Sequence, residues 1–251
     1  MAEGDTILRL ARRLDAALAG QSIAASAPNP RGRAAGVERL DGRRFDGAEA
    51  RGKHLLLHFG ELALHSHLGM SGGWHLYRRS APWRRPRSSA WAVLAGSEQE
   101  AVQFGGPKLR VLPSERLRRD PQLARLGPDL LAADFEPESV VAAMRAEPGR
   151  GVGDALLDQT LVAGIGNIFK SEACFAARVD PWRPLADLSD DELAGVLAAA
   201  RHEMLDAVAS GRHHPAIYRR RGPCTVCGGP ISSRGQGDAN RTTYWCPNCQ
   251  R

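Results

Sequence analysis

Long apolar runs are absent from the 251-residue sequence. No stretch approaches the roughly 18 to 20 uncharged apolar residues that a membrane span requires, which argues against a transmembrane protein. The first residues include Glu3, Asp5 and Arg9, so they lack the apolar core of a secretory signal peptide. We therefore expect a cytoplasmic protein without membrane segments.

Cysteine is scarce and unevenly placed. Only five cysteines occur, and four of them form two C-x2-C pairs, Cys224 with Cys227 and Cys246 with Cys249, which are separated by 18 residues. This spacing is typical of a closed four-cysteine site that holds one tetrahedral zinc ion. Disulfides are the alternative, but they are rare inside cells. The sequence therefore predicts one structural Zn²⁺, and the remaining Cys174, on an apolar helix face, is predicted to be core.

Acidic residues are nearly missing from residues 211–251, which contain Asp238 and seven arginines. This surplus equals the net charge of the whole chain, +6. Such a basic segment is typical of a nucleic-acid contact surface, and a solubilising tail is the alternative. Because the same segment carries the paired cysteines, we favour the nucleic-acid interpretation.

The apolar pattern changes along the chain. Apolar residues recur at helical spacing over residues 5–18, which predicts an amphipathic helix. Short strand patterns then follow from about residue 23 to residue 112, which indicates a β-sandwich or barrel. Strict alternation over residues 62–68 predicts a half-buried strand.

Helical patterns follow Gly127-Pro128. Residues 154–162 and 167–177 are two candidate helices, and Ser189 with Glu192 forms a capping box that opens a third.

Three domains are expected, over residues 1–127, 128–210 and 211–251. The arginine- and proline-rich run 81–89 lies in the first of them and is predicted to be a mobile loop.

Several segments occur together in a distinctive order. They are Ala2-Glu-Gly-Asp5, Arg51-Gly-Lys53, Ser66-His-Leu-Gly-Met-Ser-Gly72, Asp158-Gln-Thr-Leu-Val-Ala-Gly-Ile-Gly-Asn167 and the two cysteine pairs. Jointly they resemble the formamidopyrimidine-DNA glycosylase and endonuclease VIII family, in its endonuclease VIII-like branch. The resemblance implies an α+β multidomain protein with an N-terminal helix and β-sandwich, a helix–two-turn–helix domain and a C-terminal β-hairpin zinc finger. It also implies that duplex DNA lies in a cleft between two lobes, with the damaged nucleotide flipped out of the stack.

The resemblance implies phosphate contacts in several places. Gly164 and Gly166 bracket a turn before a helix, where backbone N–H groups can approach a phosphate, and Asn167 would donate its amide to the same phosphate. Arg241, on the hairpin between the cysteine pairs, is similar to the family's phosphate-binding arginine. Lys53 is similar to a lysine that binds phosphate near the lesion and assists the lyase step. The alternatives are a helix cap for Asn167 and an ordinary surface lysine for Lys53.

Met70 resembles an apolar wedge that fills the gap left by a flipped base, and a core methionine is the alternative. Residues 103–108 occupy the region of a second intercalation loop, but they do not match the loop of the oxidised-purine enzymes.

The resemblance also implies an N-terminal nucleophile. In the family, the initiator methionine is removed and the amine of the following proline attacks the sugar. An α-amino group has a pKa near 8, against roughly 10.4 for lysine, so much more of it is the neutral nucleophile at pH 7. This sequence has Ala2 at that position, and its primary amine lacks the fixed ring of proline, so we expect weakened catalysis. Glu3 would be the acid/base carboxylate that helps to open the sugar ring.

The expected function is therefore base excision repair. We expect a monomeric DNA glycosylase and abasic-site lyase that acts on double-stranded DNA with an oxidised base, favouring pyrimidines, or with an abasic site. The alternatives are a lesion-binding protein without catalysis and a generic zinc-finger interaction protein.

Overall fold

The computed structural model describes residues 2–220, 222–238 and 240–251. These residues divide into two compact units, of which the first comprises Ala2 and Thr6–Ala124 and the second comprises Glu3–Asp5 and Arg125–Arg251. Among the helices in the described ranges, none has both the length and the apolar character that crossing a membrane requires.

Helix α1 (Gly4–Leu18) is amphipathic, as the sequence predicts. Side chains at helical spacing, such as Ile7, Leu10 and Leu14, are buried in the core of the first unit. Short helices follow along the chain: α2 (Pro30–Ala34), α3 (Ser114–Arg118) and α4 (Pro121–Ala124).

In the described part of the first unit, nine strands form two antiparallel sheets. The strands are β1 (Ser22–Ser26), β2 (Arg43–Arg44), β3 (Gly47–Arg51), β4 (His54–Phe59), β5 (Leu62–His67), β6 (Gly73–Arg78), β7 (Ala92–Ala95), β8 (Gln99–Phe104) and β9 (Lys108–Pro113). One sheet has the order β2-β1-β7-β8-β6 and the other has the order β3-β4-β5-β9. Apolar side chains of both sheets, such as Leu57 and Leu94, share one core, which confirms the predicted β-sandwich.

Strand β5 is more buried than its alternating pattern predicts. The strand lies between β4 and β9, and α3 packs against it. Residues from Leu62 to Ser66 are therefore all buried, including the polar His65, and the prediction of a half-buried strand is wrong.

The second unit is built from helices and one hairpin in its described residues. The elements are α5 (Pro137–Met144), α6 (Val152–Ala155), α7 (Asn167–Ala176), α8 (Asp190–Ser210), β10 (Ser232–Gln236) and β11 (Arg241–Trp245). Apolar side chains of α5, α7 and α8 form its main core, which includes Cys174, as predicted. The capping box that opens α8 is confirmed, because the side chains of Ser189 and Glu192 each accept the other residue's backbone N–H.

The helix predicted over residues 154–162 is wrong beyond Ala155, where α6 ends. The Asp158 carboxylate accepts the backbone N–H of Thr160 at 2.9 Å and its hydroxyl at 2.7 Å. Such local side-chain contacts compete with helical hydrogen bonds and favour turns. The segment instead forms turns that lead into the glycine-bracketed residues 164–166.

Candidate active site and nucleic-acid contacts

The buried carboxylate of Glu3 closes the N-terminal end of helix α7. Glu3 is 1% exposed, and its Oε2 accepts the N–H of Gly166 at 2.9 Å and that of Phe169 at 3.3 Å. Its Oε1 accepts the N–H of Ile168 at 2.9 Å. The first N–H groups of a helix have no intrahelical partner and carry partial positive charge, so they suit an anion. Glu3 therefore occupies the helix end as a carboxylate whose orientation is fixed by three backbone N–H groups.

Each glycine of the Gly-Ile-Gly turn has its own structural reason. A Cβ at Gly166 would lie 2.2 Å from Cδ of Glu3, so any larger residue would displace the carboxylate. Gly164 has φ +106°, which disfavours side chains, and its carbonyl oxygen accepts the N–H of Gly4 at 3.0 Å. The N–H of Gly164 donates to Oε1 of Gln159 at 3.1 Å. The backbone N–H groups of both glycines thus have partners within the protein, and their predicted phosphate contacts stay predictions.

Asn167 connects α7 to the zinc-finger hairpin. Its side chain is 6% exposed, and Nδ2 donates to the carbonyl oxygen of Thr242 at 2.7 Å. The N-cap position belongs to Gly166, so the alternative interpretation of Asn167 as a helix cap is wrong. A side-chain amide has two N–H donors and this contact uses one of them. The predicted phosphate contact of Asn167 stays a prediction.

Lys170 is a buried cation on the same face of α7, and no sequence motif described above identifies it. It is 0% exposed, and its ammonium donates to Oγ1 of Thr243, which donates to Oε1 of Gln236 at 2.8 Å. Burial lowers the pKa of Lys170 to about 8, although the negative charges of Asp154 and Glu3 oppose this shift. Lys170 comes three residues after Asn167 and four residues before the core Cys174, so its side chain lies on the same face of the helix as theirs. This helical spacing could have identified Lys170 from the sequence.

Arg241 is the first residue of β11 and is exposed. It pairs with Gln236 across the hairpin. The hairpin that carries Arg241 is the one held by Asn167 and Lys170 through Thr242 and Thr243. The predicted phosphate contact of Arg241 stays a prediction.

The backbone nitrogen of Ala2 lies beside the turn that carries Met70. It is 3.5 Å from the carbonyl oxygen of Gly69, and Ala2 packs partly buried against the core of the first unit. Met70 is 72% exposed, so the alternative interpretation as a core methionine is wrong. The structure thus brings the predicted nucleophile and the predicted wedge to one turn.

Lys53 lies in the short turn between β3 and β4, where Gly52 has φ +55°. The strand register places His54, His67 and Lys108 side by side at the adjoining ends of β4, β5 and β9. Burial lowers the pKa of His67, and the positive charges of Lys53 and Lys108 lower it further. These residues form a group of donors, of which the sequence motifs identify only Lys53, although His67 lies within the segment 66–72 that carries the resemblance.

The paired cysteines form a metal site in the described residues. Their ligand atoms all lie within 4.8 Å of one another in a cluster of Cys224, Cys227, Cys246 and Cys249. The Sγ atoms of Cys224 and Cys249 are 3.8 Å apart, and those of Cys227 and Cys246 are 3.5 Å apart. Sulfurs about 2.3 Å from a tetrahedral zinc ion would be about 3.8 Å apart, whereas a disulfide requires about 2.05 Å. The residues therefore fit one structural zinc ion, and the disulfide alternative is wrong.

Three family models match the chain. The formamidopyrimidine-DNA glycosylase N-terminal domain matches residues 1–108, the formamidopyrimidine-DNA glycosylase H2TH domain matches residues 126–217, and the zinc finger found in FPG and IleRS matches residues 222–251.

Full-length relatives and solved structures agree with these matches. The chain is 38% identical to a Streptomyces coelicolor protein named "Probable endonuclease 8 2", over 100% of this chain and 94% of that protein. It is 34% identical to the "DNA-(apurinic or apyrimidinic site) lyase Nei2" of Mycolicibacterium smegmatis, over 100% of this chain and 99% of that protein. Its fold matches Lactococcus lactis Fpg, solved in a complex with DNA that contains an abasic site, with a TM-score of 0.85, 22% identity and 99% of each chain covered. The chain therefore belongs to the formamidopyrimidine-DNA glycosylase family, which includes the endonuclease 8 proteins.

Proposed function

We propose that this protein is a base-excision-repair DNA glycosylase with abasic-site lyase activity, acting on double-stranded DNA. The observation that carries the proposal is the position of the Ala2 nitrogen, 3.5 Å from the carbonyl oxygen of Gly69 and beside the exposed Met70. A nucleophile next to an exposed apolar side chain suits a reaction in which a base leaves the stack and a protein side chain fills its place.

The nucleophile would be the amine of Ala2 after removal of Met1. The neutral amine attacks C1′ of the damaged nucleoside, and the base leaves with the electron pair of its C1′–N bond and takes up a proton. Transfer of the amine proton to O4′ opens the sugar ring and leaves an imine between C1′ and the Ala2 nitrogen. Loss of a C2′ proton then lets the 3′ phosphate leave with the C3′–O electron pair, and water hydrolyses the imine to release the amine.

Glu3 would carry the proton between the amine and O4′. The ionised carboxylate accepts the proton first and donates it afterwards, and the three N–H groups at the end of α7 keep its orientation fixed.

Phosphate contacts would hold the DNA backbone. Lys53 and the exposed Arg241 supply cations, and Asn167 with the turn at Gly164 and Gly166 supplies neutral donors. The zinc ion, held by the four cysteines, would stabilise the fold of the finger that presents Arg241. We propose functional boundaries near residues 127 and 210, and action on chromosomal DNA in the cytoplasm.

Oxidised pyrimidines are the proposed substrate class. The opening Glu3-Gly4-Asp5-Thr6 and the departure of residues 103–108 from the oxidised-purine pattern favour them, and the named relatives are endonuclease 8 proteins.

The second candidate function is a lesion-binding protein without catalysis, and the replacement of proline by Ala2 favours it. A primary amine keeps the ability to form an imine, so the lyase remains our first proposal.

Duplexes that each contain one defined lesion test the proposed function. We expect strand cleavage at an abasic site and at thymine glycol, weaker cleavage at 8-oxoguanine and none in undamaged DNA, with intact mass reporting the removal of Met1. Binding to these duplexes without any cleavage would instead establish the second candidate. Binding that ignores the lesion would contradict both.

A further inference from the structure

The segment between Glu61 and Glu98 contains no acidic residue and has five arginines. This segment includes the loop between β6 and β7, in which residues 81–89 are the run that the sequence predicts to be mobile. The structure instead anchors this loop to the sheet. The Trp83 ring stacks against Tyr77 with centroids 6.0 Å apart, and its Nε1 donates to Glu100 at 2.6 Å. The N–H of Arg84 donates to the hydroxyl of Tyr77 at 3.3 Å.

Aromatic rings hold two arginines of the anchored loop. The guanidinium of Arg87 lies 4.5 Å from the centroid of Trp83, and that of Arg85 lies 5.5 Å from the centroid of Phe104. Such contacts orient a guanidinium without neutralising it, because the ring contributes only its quadrupole. Arg84, Arg85 and Arg87 are exposed, and none of them has an ion pair within the described residues. Arg85 and Arg87 therefore present oriented positive charge that no salt bridge among the described residues neutralises.

The position of this charge connects it to the Met70 turn. Phe104, beneath Arg85, pairs with Gly73, only three residues after Met70. His75 lies two residues further along β6, and burial with the charges of Arg85 and Arg84 lowers its pKa. The arginines thus lie near strand β6, which begins three residues after the proposed wedge. Strand β6 has six residues, or about 20 Å at about 3.3 Å per residue.

We propose that Arg84, Arg85 and Arg87 form a second, sequence-independent contact with the phosphate backbone of the duplex that flanks the lesion. The inference rests on the proposed function, because it takes the Met70 turn as the place where the lesion is bound. Exposed guanidinium groups suit phosphate oxygens, since their planar donors can bind two oxygens at once. Continuity with the Met70 turn favours DNA over an acidic protein partner.

The salt dependence of DNA binding tests this proposal. We compare Arg85→Ala/Arg87→Ala with the wild type, measuring fluorescence anisotropy on a 30-base-pair duplex with a central abasic-site analogue. Each lost phosphate contact lowers the slope of log K against log salt by about 0.9, so we expect a decrease of up to about 1.8. The matched control is Arg116→Ala/Arg118→Ala, which removes two exposed arginines of α3, and its slope should equal that of the wild type.

Shortening the duplex locates the contact. On one side of the lesion, we remove all base pairs that lie further than three positions away. This truncation should weaken DNA binding by the wild type more than it weakens DNA binding by Arg85→Ala/Arg87→Ala. Arg85→Lys/Arg87→Lys keeps the charge, so it should recover most of the slope, and thermal unfolding confirms that each variant is folded. A slope unchanged by Arg85→Ala/Arg87→Ala, or lowered equally by the control, overturns the proposal. Because wild-type cleavage is measured separately, this result would leave the proposed function intact.

Discussion

The N-terminal end of helix α7 and the turn at Met70 are built in opposite ways. At the helix end, the Glu3 carboxylate is buried and accepts three backbone N–H groups. At the turn, Met70 leaves an apolar side chain 72% exposed. One region pairs its polar groups inside the protein, and the other leaves apolar surface in water.

This contrast separates two physical requirements. A carboxylate keeps one orientation when rigid donors surround it, so burial suits a group that must be positioned. An exposed apolar side chain gains free energy only when something else covers it, so exposure suits a group that inserts into a partner. Substitutions at the end of α7 should therefore reduce stability and chemistry together, whereas substitution of Met70 should reduce function alone.

Glu3→Gln should produce the largest effect. The glutamine amide would direct an N–H₂ group at backbone donors, so we expect the free energy of unfolding to fall by about 1–3 kcal/mol. Loss of the proton carrier should also lower the rate of base excision by about 10²- to 10⁴-fold. Urea unfolding and single-turnover cleavage at saturating enzyme measure the two effects.

Glu172→Gln is the matched control for Glu3→Gln. Glu172 is also buried and accepts the N–H groups of Ala216, Ile217 and Tyr218 at 2.8, 3.1 and 2.7 Å. Its substitution should cost similar stability but leave the chemical rate within a few-fold of the wild type. An equal loss of rate in both variants would mean that the effect of Glu3→Gln is structural.

Gly166→Ala should have the next largest effect, because its Cβ would lie 2.2 Å from Cδ of Glu3. Overpacking of this kind costs about 1–3 kcal/mol of unfolding free energy, and a displaced carboxylate should slow cleavage as well. In the control Gly195→Ala, nothing lies within 4 Å of the new Cβ, and removing a helix-interior glycine should stabilise the protein by about 0.5–1 kcal/mol. Unchanged stability in Gly166→Ala would refute the predicted clash.

Met70→Ala should affect function without affecting stability. An exposed site changes the free energy of unfolding by less than about 0.5 kcal/mol. Loss of an inserted side chain should weaken binding to a lesion-containing duplex by on the order of 1.5 kcal/mol, or about tenfold. Val226→Ala is the control, since Val226 is also apolar and 64% exposed, and it should leave lesion binding unchanged. Equal affinity of Met70→Ala and wild type for the lesion would contradict the wedge.

The buried Lys170 should make the stability of the protein depend on pH. Burial lowers its folded pKa to about 8, against about 10.4 in the unfolded chain. Between these values the unfolded state binds more protons, so this residue makes stability rise with pH, by less than about 1.4 kcal/mol per pH unit. Below pH 8, Lys170 does not make the free energy of unfolding depend on pH. Urea unfolding from pH 7 to 10 should show this rise in the wild type but not in Lys170→Met, and parallel profiles would disprove the assignment.

Local patterns in the sequence were sufficient for much of the fold. The spacing of the cysteines predicted the zinc site, because both ligands of each pair come from one short turn. The capping box at Ser189 and Glu192 likewise depends only on neighbouring residues. Periodicity predicted α1 and the β-rich half, but it failed at β5, whose burial depends on elements elsewhere in the chain.

The contacts of the candidate site could not be predicted in the same way. Glu3 and Gly166 are 163 residues apart, and no local pattern joins them. The sequence alone therefore indicates that the glycines of the turn leave space for a phosphate, whereas in the structure Gly166 leaves space for the Glu3 carboxylate. The exposure of Met70 depends on tertiary packing, because an isolated methionine after a strand fits a core equally well.

Borohydride trapping on a duplex with one abasic site, followed by peptide mapping of the crosslink, tests most directly whether the Ala2 amine is the nucleophile. We expect a covalent adduct at the Ala2 nitrogen, in protein whose intact mass shows that Met1 has been removed. No adduct from such protein, or an adduct on a lysine instead, would contradict it.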